Sequence, residues 1–538
     1  MSAKKRNRKR SQLLAKAKKR KQRKFAVLTG FLCLVIVLIV GHFTTRSAPI
    51  SNVQIALNAA NIRRESINRL DYSALSPHVQ GKGYIIDDFM DLVETMDLES
   101  FMLFMSQLIT PPTDDIASHI PNFMAIADVQ ALELLMRTQY GSYIYFGGDY
   151  IFSDVFNEII DALSTAEYWS TSTGPDGDFM RLLHDNLFPF IADNHFRIGG
   201  HHLGISAEGV PQHFFMPTYA DFFVSANDFV RSARGIRCTQ SAFYLREIPG
   251  HNMDDMFRMG INDYGELVYV AVITVPEGND EPIKLLTTVY ENGEQGAIAF
   301  LRHTPVVQPR RERPTLEWID GIPVVTVSQM DHFTASSTAG MLTSIAYGLR
   351  NEPVIILDIR SNIGGNSILP THLFYLLVGE KVPPISRTLH IGNYDEFMYT
   401  MGAVTNWQRS PFTGQLIYHP AKAYGYYHFI IDYGPRRIVP SENLIIVLTD
   451  RFTSSAGERT VEMALSMNNA LVIGQNTAGV YSNIAGGYFY LPNSGLPITF
   501  GLGTILLPYG LFSEGIGFAP DVWATGDALD AALALLRN

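Results

Sequence analysis

Two adjacent serines, Ser454 and Ser455, lie between a strand-like apolar run at 444–448 and a helix-like run that begins at Ala456. A hydroxyl at such a turn lies beside the unpaired N–H groups and the positive end of the helix dipole. Both features stabilise an anion, which is what the nucleophile and the tetrahedral oxyanion of an acyl transfer require. The turn therefore suits Ser455 as an acyl-transfer nucleophile.

The same residues also fit a simpler structural role. A serine at the start of a helix caps its free N–H groups, and Glu458, three residues after Ser455, completes the pattern of a capping box. On local sequence alone the cap is the commoner interpretation. The choice between cap and nucleophile therefore depends on the rest of the chain.

A second turn that could do chemistry contains Gly364 and Gly365. It follows the buried strand-like run 353–359 and precedes an apolar run at 368–377. Paired glycines let backbone N–H groups approach a ligand closely, because no Cβ is in the way. Many strand-to-helix turns contain glycine, so this pair indicates little by itself.

Both turns belong to a region, from about residue 320 onward, in which strand-like and helix-like runs alternate. Three runs have the composition of buried strands, namely 353–359, 444–448 and 471–474. This alternation predicts an α/β core with parallel strands, because each crossover between parallel strands needs a helix.

Four segments, in order and in register, resemble the tail-specific or C-terminal-processing peptidases of family S41. Residues 357–365 are similar to the family's D-x-R-x-N-x-G-G signature, and residues 455–458 to its S-A-x-E nucleophile motif. Residues 470–479 resemble the strand and turn that follow that motif, and residues 517–521 resemble the terminal G-V-x-P-D element. The agreement extends over roughly residues 320–525 and favours the nucleophile over the cap.

The resemblance implies a crotonase-like (ClpP/crotonase type) α/β catalytic core and a protein or peptide substrate. It also implies an oxyanion hole that combines the backbone N–H of Ala456 with one from Gly364 or Gly365, and the sequence does not choose between the glycines. The polar residues of the glycine signature are expected to brace their loop rather than touch substrate: Asp358, Arg360 and Asn362.

The family has two catalytic variants, which differ in the base. The processing-peptidase branch uses a lysine 25 residues after the serine, where this chain has Val480, and no lysine follows Lys422. The tricorn-like branch uses a histidine from the helical region, and the segment around His195 matches its place. An imidazole suits this role because its ordinary pKa lies near neutral pH. The resemblance therefore implies His195 as general base for Ser455.

Two further site residues follow from the resemblance to the tricorn-like branch. Asn194 stands where that branch has a serine that assists the histidine, and an amide can still orient an imidazole by hydrogen bonding. Glu514, three residues before Gly517, matches a glutamate that completes the Ser–His–carboxylate arrangement. The alternative for Glu514 is an exposed loop residue without a catalytic role.

The chain before the predicted catalytic domain divides into segments that differ in their pattern of apolar residues. Residues 67–209 show helix-like apolar spacing, whereas residues 210–315 contain β-branched and aromatic runs separated by turns. Residues 316–538 are the predicted catalytic domain. The β-rich module occupies the place of the PDZ domain of many processing peptidases, but it lacks a G-x-G-F-type carboxylate loop. We interpret it as a different module that gates or shapes the cleft.

The amino terminus predicts a membrane anchor. Residues 1–24 hold 13 Lys/Arg and no Asp/Glu, and residues 25–43 are nearly all apolar. An apolar helix of that length spans about 28 Å, close to the hydrocarbon thickness of a bilayer. The basic tail should stay in the cytoplasm, with a stalk at 44–66 and the body outside. A cleaved secretory signal peptide is the alternative.

Composition excludes several other kinds of site. The formal net charge is −10 despite the basic tail, and an acidic body is a poor candidate for nucleic-acid binding. Only Cys238 lies in the body, because Cys33 lies in the predicted anchor, so no disulfide and no Cys-based zinc site can form there. His201 and His202 have no carboxylate or Cys ligands at metal-site spacing, so we expect neither a metal nor another cofactor.

The sequence therefore predicts a single-pass cell-membrane protein with a cytoplasmic amino terminus. Its extracytoplasmic body is expected to hydrolyse peptide bonds through Ser455, with His195 as base and Glu514 in support. The alternative is a non-catalytic ligand- or peptide-binding ectodomain on the same fold, since a fold does not decide a function. The presence of all three residues argues for catalysis.

Overall fold

The computed structural model describes most of the chain from residue 51 onward. The described residues are 51–70, 72, 76, 98–109, 117–174, 177–203, 212–216, 218–219, 237–238, 245–252, 256–262, 265–275, 281–304, 308–309, 311, 313–330, 338–391, 428–431 and 436–537. The chain divides into two compact units, residues 1–54 and 55–538, and the second contains the sheets and the candidate site.

Apolar residues at helical spacing form the helices of this described part. In chain order they are α1 (Asn52–Ile67), α2 (Leu98–Ile109), α3 (Asn122–Gln139), α4 (Gly148–Leu163), α5 (Asp178–Leu187), α6 (Thr338–Leu349), α7 (Ile368–Val378), α8 (Ala456–Leu465) and α9 (Ala528–Arg537).

The strands follow from runs of β-branched and aromatic residues. In chain order they are β1 (His119–Pro121), β2 (Tyr168–Ser170), β3 (Arg197–Ile198), β4 (His201–His202), β5 (Gln212–Met216), β6 (Thr218–Tyr219), β7 (Arg237–Cys238), β8 (Leu245–Glu247), β9 (Phe257–Ile261), β10 (Leu267–Val275), β11 (Ile283–Tyr290), β12 (Gln295–Arg302), β13 (Thr315–Ile319), β14 (Ile322–Thr326), β15 (Val354–Asp358), β16 (Arg387–Ile391), β17 (His428–Ile431), β18 (Leu444–Thr449), β19 (Ala470–Gly474), β20 (Asn483–Tyr490), β21 (Pro497–Leu506) and β22 (Val522–Ala524).

One large sheet carries the candidate nucleophile. Its strand order is β13-β14-β15-β18-β19-β22-β9-β10-β5-β12-β11-β8. The strands from β14 to β9 pair in parallel, as the alternation of strands and helices predicted. Every residue of β18 and β19 is buried, which is typical of parallel strands covered on both faces. Helices α6, α7 and α8 contribute to the hydrophobic core beside these strands.

The β-rich module continues this sheet. Strand β9 pairs in parallel with β22, through Trp523 and Gly260, and the remaining strands from β10 to β8 follow in antiparallel order. Buried residues of these strands, among them Phe214 and Phe300, form a separate hydrophobic cluster. The module is thus attached to the parallel part of the large sheet through main-chain hydrogen bonds.

A second sheet connects the helical region to the carboxy-terminal part of the chain. Its order is β17-β16-β21-β3-β4, and β20 also pairs with β21. Strand β3, which follows His195, pairs with β21 through Ile198–Ile498 and Arg197–Thr499. Helices α2 to α5 share a core with residues of β20 and β21, including Phe489 and Phe500.

Helix α1 covers much of the segment assigned above to a stalk. Arg64, on this helix, is fully buried and donates to the Asp521 carboxylate at 2.9 Å and to the Ala470 carbonyl at 2.7 Å. Ile67, at the end of the helix, belongs to the core of the large sheet. The carboxy-terminal part of the predicted stalk is therefore packed against the core of the large sheet.

The predicted anchor, residues 25–43, and the basic tail, residues 1–24, lie outside the described residues. Among the helices that the structure does describe, none combines the length and the apolar character needed to cross a membrane.

Candidate active site

Ser455 adopts a backbone conformation that a capping serine does not need. It lies at the start of α8 with φ 52° and ψ −114°, whereas a helix-capping residue normally has extended dihedrals. Asp320, Ser361 and Ser455 are the non-glycine residues with positive φ in the described part of the chain. Such conformations cost about 1–3 kcal/mol and are typical of functional sites.

Glu458 holds the Ser455 backbone in this conformation. Its fully buried carboxylate accepts the N–H of Ser455 at 2.9 Å. It also accepts the Thr477 hydroxyl at 2.6 Å and the N–H groups of Gly479 at 2.8 Å and Val480 at 2.9 Å. Burial raises the pKa of Glu458 to about 7, against the lowering effect of these hydrogen bonds. The capping-box pattern indicated the first contact but not the other three.

Gly364 lies directly against the candidate nucleophile. A Cβ added to Gly364 would lie 2.6 Å from the Ser455 Cβ and 3.1 Å from its Oγ. A Cβ added to Gly365 would lie 1.7 Å from the Met330 carbonyl oxygen. Both residues also have positive φ, 100° and 127°, which favours glycine. The glycine pair is therefore required by space as well as by conformation.

The hydrogen bonds of this loop distinguish the two glycines as oxyanion donors. The N–H of Gly364 donates to Asn362 Oδ1 at 2.8 Å and is thus already used. The N–H groups of Gly365 and Ala456 have no acceptor among the described residues. We therefore favour the pair Gly365 and Ala456, a choice that the sequence left open.

The polar residues of the glycine signature brace the loop. Arg360 forms paired hydrogen bonds with Asp358, at 2.8 and 2.6 Å, and a further one with Asp527 at 2.8 Å. The side-chain amide of Asn362 donates to the Val327 carbonyl at 2.7 Å, and the backbone carbonyl of Asn362 accepts the Ser454 N–H at 2.8 Å. The glycine loop and the serine turn are thus held together by main-chain hydrogen bonding.

His195 is positioned by the residue that follows it. Phe196 is fully buried and packs edge-on against the rings of Tyr140 and Phe500, with centroids 4.9 and 5.4 Å away. The imidazole itself is only 12% exposed. Burial, with smaller contributions from Arg197 and His202, lowers the pKa of His195 to about 4. The imidazole of His195 is therefore neutral down to a lower pH than an ordinary histidine would be.

The segment 479–482 brings the candidate residues together. The Val480 carbonyl accepts the Ser455 N–H at 3.1 Å. Two residues on, the Ser482 N–H donates to Glu514 Oε2 at 3.1 Å, and the other oxygen of Glu514 accepts the Asn194 N–H at 3.1 Å. Ser455, Glu514 and the His195 loop are thus attached to the same four residues.

Asn194 links the histidine loop to this segment. Its side-chain amide donates to the Gly479 carbonyl at 2.9 Å, and its carbonyl accepts a hydrogen bond from His202 Nδ1 at 2.8 Å. His201 contacts the Thr173 carbonyl through Nε2 at 2.8 Å. Asn194 therefore supports the loop that carries His195.

Asp193 is a further candidate residue of the site that the sequence did not single out. One imidazole nitrogen of His195, one oxygen of Asp193 and one oxygen of Glu514 all lie within 4.8 Å of one another. Burial raises the pKa of Asp193 to about 6, and burial together with the Asp193 charge raises the pKa of Glu514 to about 8. The signal available in the sequence was its place two residues before His195.

Val480, at the position where the Ser–Lys branch has its base, contributes only backbone groups in the described contacts. Its N–H donates to Glu458 and its carbonyl accepts from Ser455. Lys422, the last lysine of the chain, lies outside the described residues.

Comparison with known proteins gives one family. The model of Peptidase family S41 matches residues 321–524, a range that includes the glycine loop, Ser455 and Glu514. The comparison with curated proteins found no significant match.

Among solved structures, mature CPAF complexed with lactacystin is 15% identical with a TM-score of 0.37, over 77% of this chain and 97% of that one. The photosystem II D1 C-terminal processing protease is 14% identical with a TM-score of 0.30, over 74% and 92%. The tricorn protease is 11% identical with a TM-score of 0.31, over 78% and 37%. At such low TM-scores these likenesses do not bear on the chemistry of this chain.

Proposed function

We propose that the chain is a serine-type peptidase of family S41, whose model matches residues 321–524, and that it cleaves peptide bonds with Ser455 as nucleophile. The core around this serine is assigned to the crotonase-like type. The observation that carries the proposal is the conformation of Ser455. A strained serine at a helix start, in contact with a glycine loop, is the arrangement that an acyl-transfer nucleophile needs.

His195 is the proposed general base. With a pKa lowered to about 4, it is neutral at physiological pH and accepts the Ser455 proton as the hydroxyl attacks the scissile carbonyl. The same proton then passes to the leaving amine. Glu514 supports the imidazolium, and Asn194 keeps the histidine loop against segment 479–482.

The oxyanion is stabilised by backbone donors. The N–H groups of Ala456 and Gly365 are the assigned donors, and the positive end of the α8 dipole adds to their effect. Bracing by Asn362 and Glu458 fixes these donors before substrate arrives. Preorganised donors of this kind need no rearrangement when charge develops.

The substrate is a protein or peptide, and the reaction takes place outside the cytoplasm. The support for this location is the basic segment 1–24 followed by the apolar segment 25–43. Residues 25–43 anchor the chain as a single span, with the catalytic body on the extracytoplasmic side.

Hydrolysis of a casein or peptide-library substrate by the full-length protein tests the nucleophile. Ser455→Ala is expected to abolish turnover while leaving the unfolding midpoint nearly unchanged, because loss of a cap costs only about 0.5–2 kcal/mol. Ser454→Ala is the matched control and should keep most of the activity. Full activity in the Ser455 variant would refute the assignment, and a wild-type chain that binds but never cleaves would favour the non-catalytic ectodomain.

A further inference from the structure

The imidazole of His195 has one nitrogen without a partner. Nδ1 is buried and has no hydrogen bond among the described residues. A base that accepts the serine proton at Nε2 must carry its own proton on Nδ1, and that N–H needs an acceptor. Asp193 Oδ1 lies 3.8 Å from Nδ1, so a small side-chain rotation brings the two atoms into hydrogen-bond range.

Asp193 is held rigidly for such a role. Its carboxylate is fully buried, and Oδ1 accepts the His195 backbone N–H at 2.8 Å. Oδ2 accepts the hydroxyl of Tyr140, which is also fully buried, at 3.0 Å. A carboxylate oxygen has two lone pairs, so Oδ1 can accept the imidazole N–H as well as the backbone N–H.

Glu514 approaches the same imidazole from another loop. Its two oxygens are held by the N–H groups of Asn194 and Ser482, and it lies within 4.8 Å of both His195 and Asp193. Two carboxyls this close do not ionise independently, because the second charge is repelled by the first. The pair therefore faces the imidazole as a unit.

We propose that Asp193 is a second positioning residue for His195 and shares with Glu514 the task of accepting the hydrogen bond from the Nδ1–H group. When Nε2 takes the proton of Ser455, the positive charge on the imidazole is stabilised by the pair rather than by Glu514 alone. This inference rests on the proposed peptidase function and extends it to a four-residue site.

The kinetic test is a double-mutant cycle with Asp193→Asn and Glu514→Gln in the full-length protein. Asparagine keeps an oxygen for the His195 backbone N–H, so the loop is preserved. Each single variant should lower kcat by about tenfold or less, whereas the double variant should lose on the order of 10³-fold, more than the product of the two. KM should change little, because the pair acts on the base and not on bound substrate.

Asp128→Asn is the control for a purely structural carboxylate. Asp128 is also fully buried and also joins the helical region to the carboxy-terminal part, by accepting the N–H groups of Asn493 and Ser494. Its substitution should lower the unfolding midpoint without lowering kcat in the folded protein. The shared role of Asp193 and Glu514 is refuted if Asp193→Asn lowers only the unfolding midpoint, as Asp128→Asn does. It is also refuted if the two single losses of kcat simply multiply in the double variant, or if either single variant already loses as much kcat as the double variant.

A spectroscopic test does not depend on turnover. In the full chain labelled with ¹⁵N-histidine, the His195 signal is assigned by its loss in His195→Gln. The neutral ring should carry its proton on Nδ1 in the wild type and in both single variants, and should lose that preference only in the double variant. An unchanged tautomer in the double variant would overturn the inference. If no peptide is cleaved but the tautomer responds as expected, the peptidase proposal fails and the pairing stands.

Discussion

At the scale of single residues, the candidate site depends on buried polar groups that hold one another. Glu458 shows this most clearly, because its two oxygens accept four donors, one from Ser455 and three from the segment 477–480. Each oxygen accepts two of them: Oε1 accepts from Thr477 and Gly479, and Oε2 from Ser455 and Val480. An uncharged amide cannot reproduce this arrangement, since its NH₂ group would face two N–H or O–H donors.

Glu458→Gln is therefore expected to cost about 1–3 kcal/mol of unfolding free energy for the donors left unsatisfied. It should also lower kcat, because the Ser455 backbone loses a support. Glu462→Gln is the matched control, since Glu462 is equally buried, one turn further along α8, and accepts from Ser386 and Tyr481. Denaturant unfolding should show a lower unfolding free energy for both variants. Peptide hydrolysis should show a lower kcat for Glu458→Gln alone. Equal effects on kcat would contradict the role assigned to Glu458.

At the scale of elements, helix α1 is joined to the segment 517–521 near the carboxy terminus. Arg64 on α1 and Asp521 form an ion pair in which both side chains are at most 1% exposed. Burial lowers the pKa of Arg64, and the Asp521 charge opposes that shift. The Asp521 carboxylate also accepts the Val472 N–H at 3.0 Å, so the pair connects α1 to β19.

Arg64→Met should lower the unfolding free energy by about 3–5 kcal/mol, because it leaves a buried carboxylate without its cation. Arg63 provides the comparison, since its side chain is 32% exposed and lies 3.4 Å from the same carboxylate. Arg63→Met should cost no more than about 1 kcal/mol. Denaturant unfolding measures both changes. Similar losses of unfolding free energy in the two variants would mean that burial does not determine how much the ion pair with Asp521 contributes.

At the scale of the whole molecule, the strand alternation and the order of short motifs were enough to predict the parallel core and the family. Two things were beyond the sequence, namely the continuation of the large sheet into the β-rich module and the longer-range contacts of Asp193 and Glu458, with Tyr140 and Thr477 respectively. Both depend on contacts between residues far apart in the chain, such as Trp523 with Gly260. The choice of Gly365 over Gly364 likewise required the hydrogen bond from Gly364 to Asn362. The pKa of His195 depends on burial, which no local pattern reports.

The proposed topology is also tested on the whole molecule. Protease added to intact cells should remove the catalytic body and leave a short fragment containing residues 1–43, because the basic tail is kept in the cytoplasm. A cytoplasmic protein of the same cells serves as the control for lysis. A body that is digested only after the cells are opened would reverse the proposed orientation.

The most direct test of the account is covalent labelling of the nucleophile. The full-length protein is treated with a fluorophosphonate probe, which reacts with activated serines, and the modified residue is mapped by peptide mass spectrometry. A single label on Ser455 is expected, and it should disappear in His195→Gln, since the serine is no longer activated. A label on another serine, or no label on a folded protein that cleaves peptides, would contradict this expectation.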